Sequence, residues 1–316
     1  MGALIVPSEN HSLQAVTITD ELFSRWIAYI DVKPKSVETY TKAVRQFMKW
    51  IQENNIRQPC REDILTYKRY LEATTKPTTT QNYIIAIRQF FKWLEQEGLY
   101  KNVADNVKGA KIDRQHKKDY LTSTQTKDIL DGIEQQTERG LRDYALLSLM
   151  VTGGLRTIEI SRANIEDIRT VGNSAALFIQ GKGRDEKTDY VKLAPPVEKA
   201  IRLYLLERGR LEPSAPLFAS TSNNNKGTRM TTRSISGIVK TRLKAAGYDS
   251  DKLTAHSLRH TAATLNLLNG GSLEDTQQLL RHTKIETTLI YSHHIDRAKN
   301  KSEERIAKAI FKEVAK

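Results

Sequence analysis

The chain has 316 residues, 39% of them hydrophobic, and a formal net charge of +13. That length accommodates two domains, each with its own core, and the charge points to a polyanionic partner, of which nucleic acid is the commonest. A single cysteine, Cys60, excludes an internal disulfide framework and a cysteine-rich zinc site. No apolar run approaches the ~20 residues of a membrane-spanning helix, and Met1–Pro7 lacks the basic start and long apolar core of a signal peptide. The expected location is cytoplasmic.

Residues 1–16 carry no strong pattern and are expected to form a flexible arm. Leu22, Phe23, Trp26, Ile27 and Ile30 then recur at helical spacing, with Thr19 placed to cap. Lys33-Pro34-Lys35 interrupts the pattern. A second helix is expected from Ser36, a third over about 61–73 and a fourth over about 78–97. The segment Val44-Arg45-Gln46-Phe47-Met48-Lys49-Trp50-Ile51 is echoed by Ile87-Arg88-Gln89-Phe90-Phe91-Lys92-Trp93-Leu94. Two amphipathic helices solving one packing problem account for the echo. Arg45, Lys49, Arg88 and Lys92, out of phase with the apolar residues, form a candidate rim for phosphates. Residues 17–105 thus read as an all-α bundle. Over 106–119 the apolar pattern lapses and Lys108, Lys111, Arg114, Lys117 and Lys118 accumulate. This is an expected linker, either a solvated charge run or one that tracks DNA, with Lys117 and Lys118 as candidate contacts.

A second domain is expected over 120–292, opening with a helix from Leu121 to about Gln135. Leu141–Val151 reads as a buried helix that stops at Gly153-Gly154, a pair suited to a tight turn. Arg156 follows that rigid end. Residues 175–180 and 188–193 form a hairpin pattern around a turn holding Lys182, and further helices follow from Pro195 to Tyr291. One small sheet among helices makes this domain α+β, in a chain that is mainly α. Beyond Tyr291, residues 293–316 carry Ile306, Ile310, Phe311 and Val314 as an apolar stripe on a last helix.

The chemistry concentrates late in the chain. In Thr254-Ala255-His256-Ser257-Leu258-Arg259-His260-Thr261, an imidazole and a guanidinium three residues apart sit on neighbouring helical turns facing one way. Arg259 offers a planar fork suited to a phosphate, and His256 a proton or hydrogen bond near neutral pH. Leu280-Arg281-His282-Thr283 adds a second imidazole, and Thr287-Thr288-Leu289-Ile290-Tyr291 a phenol. On spacing alone His256 and His260 are interchangeable, and Lys187 and Arg184 lie beside Lys182 as alternatives.

This ordered set resembles the tyrosine recombinases, the phage-integrase and Xer-like group, from about Leu121 to Tyr291: an arginine in Thr152-Gly153-Gly154-Leu155-Arg156-Thr157, a lysine in Gly181-Lys182-Gly183, then His-x-x-Arg, Leu-x-His and Tyr. Residues 17–100 resemble the same group's core-binding domain more weakly. The resemblance implies a helical core-binding bundle ahead of an α+β catalytic domain. It implies that Tyr291 attacks a DNA phosphodiester to give a 3′-phosphotyrosyl link, with Arg156 and Arg259 on the non-bridging oxygens. Lys182 would be the acid for the leaving 5′ oxygen, His256 and His282 hydrogen-bonding groups, and Glu159 a support behind the cluster. It selects His256 over His260. It implies no metal or other cofactor and a double-stranded DNA recombination site as partner. The protein would be a monomer or dimer on one site and a homotetramer in the synapse, with accessory proteins in some systems. The last helix would dock on its own domain or on a neighbouring subunit. The group usually has glycine where this chain has Arg281. Runner-up readings are a type IB topoisomerase, which uses the same chemistry in a monomer, and a DNA-binding regulator without activity.

Overall fold

A computed structural model describes residues 3–7, 13–17, 19–112, 119–181 and 186–292, together with 306, 307 and 310. The chain divides into two compact units, 1–115 and 116–316. Within the segment expected to be a flexible arm, the first unit carries an antiparallel pair, β1 (Ala3–Pro7) and β2 (Leu13–Thr17), in register Ala3 to Thr17. The β-branched residues Ile5, Val6, Val16 and Thr17 favour that extended backbone.

Four helices follow: α1 (Asp20–Tyr29), α2 (Pro34–Glu53), α3 (Arg61–Thr74) and α4 (Pro77–Gln96). The Thr19 hydroxyl accepts from the Leu22 N–H at 3.1 Å and caps α1. Helix α2 starts two residues before the sequence-based expectation. Pro34 is its first residue, where a missing N–H leaves no hydrogen bond unmade. The echoed segments fall on α2 and α4, which pack together. Val44, Phe47, Met48 and Ile51 are buried on one helix, and Ile87, Phe90, Phe91 and Leu94 on the other. Arg45, Lys49, Arg88 and Lys92 are all exposed. Trp26 meets Phe90 edge-on, and Phe47 meets both Tyr67 and Phe91 in the same way, so aromatic contacts carry this core. The core extends to Val107, the second residue of the segment expected to be linker.

The second unit begins at α5 (Ser123–Asp131), opened by a reciprocal cap between Thr122 and Gln125. It ends four residues short of the expected Gln135, with Gly132 as its C-cap. The buried helix α6 (Glu138–Gly153) terminates in the left-handed Gly154 at φ 57°. A Cβ there would lie 2.8 Å from the Leu280 side chain, so both backbone and space require glycine. After α7 (Thr157–Arg162) comes an antiparallel sheet in the order β3 (Ile168–Val171), β4 (Ser174–Ile179), β5 (Asp189–Lys192). The first of these strands is absent from the hairpin expected in the sequence. The remaining helices are α8 (Pro195–Arg208), α9 (Thr232–Ala245), α10 (Ala255–Leu268), α11 (Leu273–Leu280) and α12 (Glu286–Ser292). Helix α6 packs against α8 and α10 around Leu146, Met150, Ile201, Tyr204 and Leu258. The chain is therefore mainly helical, a bundle followed by an α+β unit.

Candidate active site

The end of α6 fixes the first guanidinium. Arg156 is the N-cap of α7, and its own N–H donates to Glu159 Oε2 at 2.8 Å while its Nη1 donates to Oε1 at 2.9 Å. Glu159 is 1% exposed, so the carboxylate holds Arg156 from within the protein. Helix α10 carries His256, Arg259 and His260. Arg259 is 1% exposed and donates from Nη1 to the Gly154 carbonyl and from Nη2 to the Leu280 carbonyl. One arginine thereby ties the turn after α6 to the end of α11. Burial, and then the neighbouring Arg156 charge, lower the Arg259 guanidinium to about 9, still cationic at neutral pH.

His282 follows α11. Its Nδ1 lies 2.9 Å from Thr288 Oγ1, and its carbonyl accepts from Gln277 Nε2 at 3.0 Å. Burial, followed by the charges of Arg259, Arg156 and Arg281, lowers His282 to about 4. A histidine that would ordinarily titrate near 6.5 is thus neutral in this pocket above about pH 5. The unfolded chain binds a proton here between about pH 4 and 6.5 and the folded one does not, so this group's contribution to stability is lost as pH falls through that window. In an NMR titration of the folded protein, the His282 ring resonance is expected to stay fixed from pH 8 to 5.5. A midpoint near 6.5 would contradict the electrostatics described.

Tyr291 lies on α12, 4% exposed. Its ring is stacked with that of His282 at 6.2 Å and tilted against His260 at 5.0 Å, and His260 meets His256 edge-on at 4.6 Å. Burial raises the phenol above its ordinary value, opposed by the Arg259 and Arg156 charges and a hydrogen bond from Arg259. Arg156 and His256 border an adjoining cleft of about 800 Å³, which Arg233, Ser236, Gly237 and Lys240 of α9 also line.

Arg156, Glu159, Arg259, His282 and Tyr291 thus converge, with His256 at the edge of the cleft. Lys182, Lys117 and Lys118 lie outside the described residues. Lys187, the alternative to Lys182, donates at 2.5 Å to the buried Asp167. On the bundle, the exposed Lys49 lies 3.6 Å from Glu53, the Arg45 guanidinium sits over the Phe23 ring, and Arg88 and Lys92 share a polar hollow with Glu95 and Asp105. Sequence reasoning weighed His260 only as an alternative to His256 and passed over Thr288. His260, at four residues from His256, was legible as a neighbour on the same helix face, whereas nothing local marked Thr288 as the partner of His282. Arg281 stands where the group that the chain resembles usually has glycine. It is the left-handed C-cap of α11 at φ 54°, with its guanidinium turned to backbone carbonyls and to Glu159 Oε2.

A helical bundle followed by an α+β unit that gathers arginines, histidines and a tyrosine in one pocket defines a recognisable class. The model of the phage integrase family matches residues 119–297, and that of the phage integrase N-terminal SAM-like domain matches 24–98; the chain belongs to the phage integrase family. Tyrosine recombinase XerC of Caldanaerobacter subterraneus subsp. tengcongensis is 33% identical over 198 residues, 62% of this chain and 52% of that protein. XerC of Chlamydia caviae is 39% identical over 156 residues, 49% of this chain and 47% of that protein. The chain spans about half the length of the curated relatives it matches. The fold is shared with the XerH site-specific recombinase bound to a palindromic difH substrate (TM-score 0.71, 21% identity, 88% of this chain and 80% of that one). It is also shared with a lambda integrase dimer bound to a COC′ core site (TM-score 0.67, 16% identity, 95% and 79%).

Proposed function

We propose that the protein is a site-specific DNA recombinase that cuts and rejoins strands through a 3′-phosphotyrosyl intermediate. The observation that carries this reading is the placement of the Tyr291 phenol against Arg259 and His282 within one pocket. The phenol oxygen attacks the scissile phosphorus, a bond forms between them, and the bond from phosphorus to the 5′ oxygen breaks. Arg156 and Arg259 neutralise the non-bridging oxygens, each worth on the order of a thousandfold in rate. With its Nδ1 paired to Thr288 Oγ1, neutral His282 has its Nε2 left to meet the phosphate, as a donor in the tautomer that accepts from Thr288. His256 takes up the phenol proton, and Lys182 protonates the departing 5′ oxygen. The phosphotyrosyl bond conserves the energy for rejoining, so neither metal nor nucleotide enters a step. Arg156, Arg259, His282 and Tyr291 gather in one pocket of a single chain, which supports cleavage in cis.

The partner is a double-stranded DNA recombination site, bound by a monomer or dimer and paired in a homotetramer. Arg45, Lys49, Arg88 and Lys92 meet backbone phosphates, which position the bundle without reading sequence. The biological role is integration or excision of a mobile element, or resolution of DNA multimers. The recombinases among the relatives favour this reading over a type IB topoisomerase. A Tyr291→Phe protein is expected to bind its DNA site with unchanged affinity and yield no covalent product in a denaturing gel. A persisting adduct would remove Tyr291 as nucleophile.

A further inference from the structure

Arg281 is costly where it stands. A residue with a side chain in the left-handed region bears a steric cost that glycine does not. Its buried Nε, moreover, has no hydrogen-bond partner among the described residues. The rest of the guanidinium is fully engaged. Nη1 donates to the Gly153 and Leu279 carbonyls at 3.2 and 2.6 Å, and Nη2 to the Gly154 carbonyl at 3.2 Å and to Glu159 Oε2 at 3.0 Å. Its side chain is 7% exposed and that of Arg156 is 29% exposed.

Glu159 is consequently shared. It accepts from Arg156 at both oxygens and from Arg281 at one. Were Arg156 the carboxylate's sole cation, the pair would be close to neutral, and Arg259 would supply the only uncompensated charge in the group. With Arg281 present, three guanidinium charges face one carboxylate, leaving two positive charges. Attack of a phenolate on a phosphodiester passes through a species carrying two negative charges, one from the phosphate and one from the nucleophile.

We infer that Arg281 is a positioning residue for strand cleavage: it balances the buried charge of Glu159, so that Arg156 keeps its positive charge for the scissile phosphate, and it pins the turn before His282 to the turn before Arg156. The inference rests on the recombinase reading above. It assigns Arg281 no contact with DNA, because its donors face backbone carbonyls and Glu159. The glycine usual at this position in similar proteins would relieve the backbone and leave Glu159 to Arg156 alone.

The test compares the full-length protein with Arg281→Gly and Arg281→Lys on a nicked duplex carrying a site that the protein selects from random sequence. One version has a normal scissile phosphate and the other a single methylphosphonate there, which removes the phosphate charge. Arg281→Gly suits the left-handed backbone, and thermal unfolding checks that it remains folded. Its single-turnover cleavage of the phosphodiester is expected to fall by about 10- to 100-fold, the range in which supporting partners of a site act. Cleavage of the methylphosphonate should fall by much less, and Arg281→Lys should recover part of the loss. Equal losses on both substrates, or no loss on either, would overturn the inference while leaving the recombinase reading intact. Absence of cleavage by the unsubstituted protein would instead overturn that reading, and the inference with it.

Discussion

Arg259→Ala is expected to lower the single-turnover rate of strand cleavage by a thousandfold or more. Two effects combine. The guanidinium proposed to neutralise the developing charge on phosphorus is removed, and one such arginine is worth on the order of 10³ or more. The Gly154 and Leu280 carbonyls also lose their shared donor. That contact fixes Arg156 relative to His282, because Gly154 precedes the Arg156 turn and Leu280 precedes the His282 turn. A buried partner left unsatisfied costs about 1–3 kcal/mol, so thermal stability should fall together with rate. Arg259→Lys keeps a positive charge but lacks a planar fork to reach both carbonyls. It should therefore lie between the two, with a rate well below that of the unsubstituted protein. Cleavage by Arg259→Ala within tenfold of the unsubstituted rate would mean that the phosphate is held elsewhere.

The second large effect concerns folding. Asp143, in the buried helix α6, accepts from Arg142 Nε and Nη2 at 2.9 and 2.7 Å through Oδ1, and from Arg242 Nε and Nη2 at 2.9 and 2.6 Å through Oδ2. Arg142 also donates to Thr221 Oγ1 at 2.8 Å, and its side chain is 4% exposed. Removing the carboxylate leaves a buried guanidinium uncompensated, which typically costs about 3–5 kcal/mol. Asp143→Ala should lower the urea midpoint accordingly, with activity lost only as the unfolded fraction grows. Replacing the whole triad with apolar residues of similar volume should cost far less, because no unpaired charge remains. A loss of unfolding free energy below about 1 kcal/mol for Asp143→Ala, read from the same urea titration, would contradict this account of the α6 core.

The structure explains why some of this organisation was readable from the sequence and some was not. The bundle was legible because Val44, Phe47 and Ile51, and their echoes Ile87, Phe90 and Leu94, recur at helical spacing with cations out of phase. The reactive groups were legible as residue types in order, and Glu159, three residues after Arg156, falls at the spacing of a reciprocal helix cap. Strand β3 was missed because it spans four residues and buries neither face fully. Its one strong signal, Gly172-Asn173 between Val171 and Ser174, is a two-residue hairpin turn that went unread. The N-terminal pair was missed because five-residue strands carry too little periodicity to stand out. Asp143 and Arg142 looked like interruptions in an apolar helix, since Arg242, which completes the triad, lies 99 residues away in the chain. The surroundings of Arg281 were illegible for the same reason. Its partners Gly153, Gly154 and Glu159 are more than 120 residues distant, and nothing local marks a left-handed arginine.

The central claim is that Tyr291 becomes covalently linked to DNA without help from a metal. A nicked suicide duplex carrying a selected site, incubated with the protein in EDTA, traps that state because the released fragment diffuses away. Denaturing gels followed by peptide mass mapping then locate the link. A DNA adduct on the peptide containing Tyr291, formed in EDTA, is the predicted result. Tight binding to the site with no adduct, or an adduct on any other residue, would contradict it.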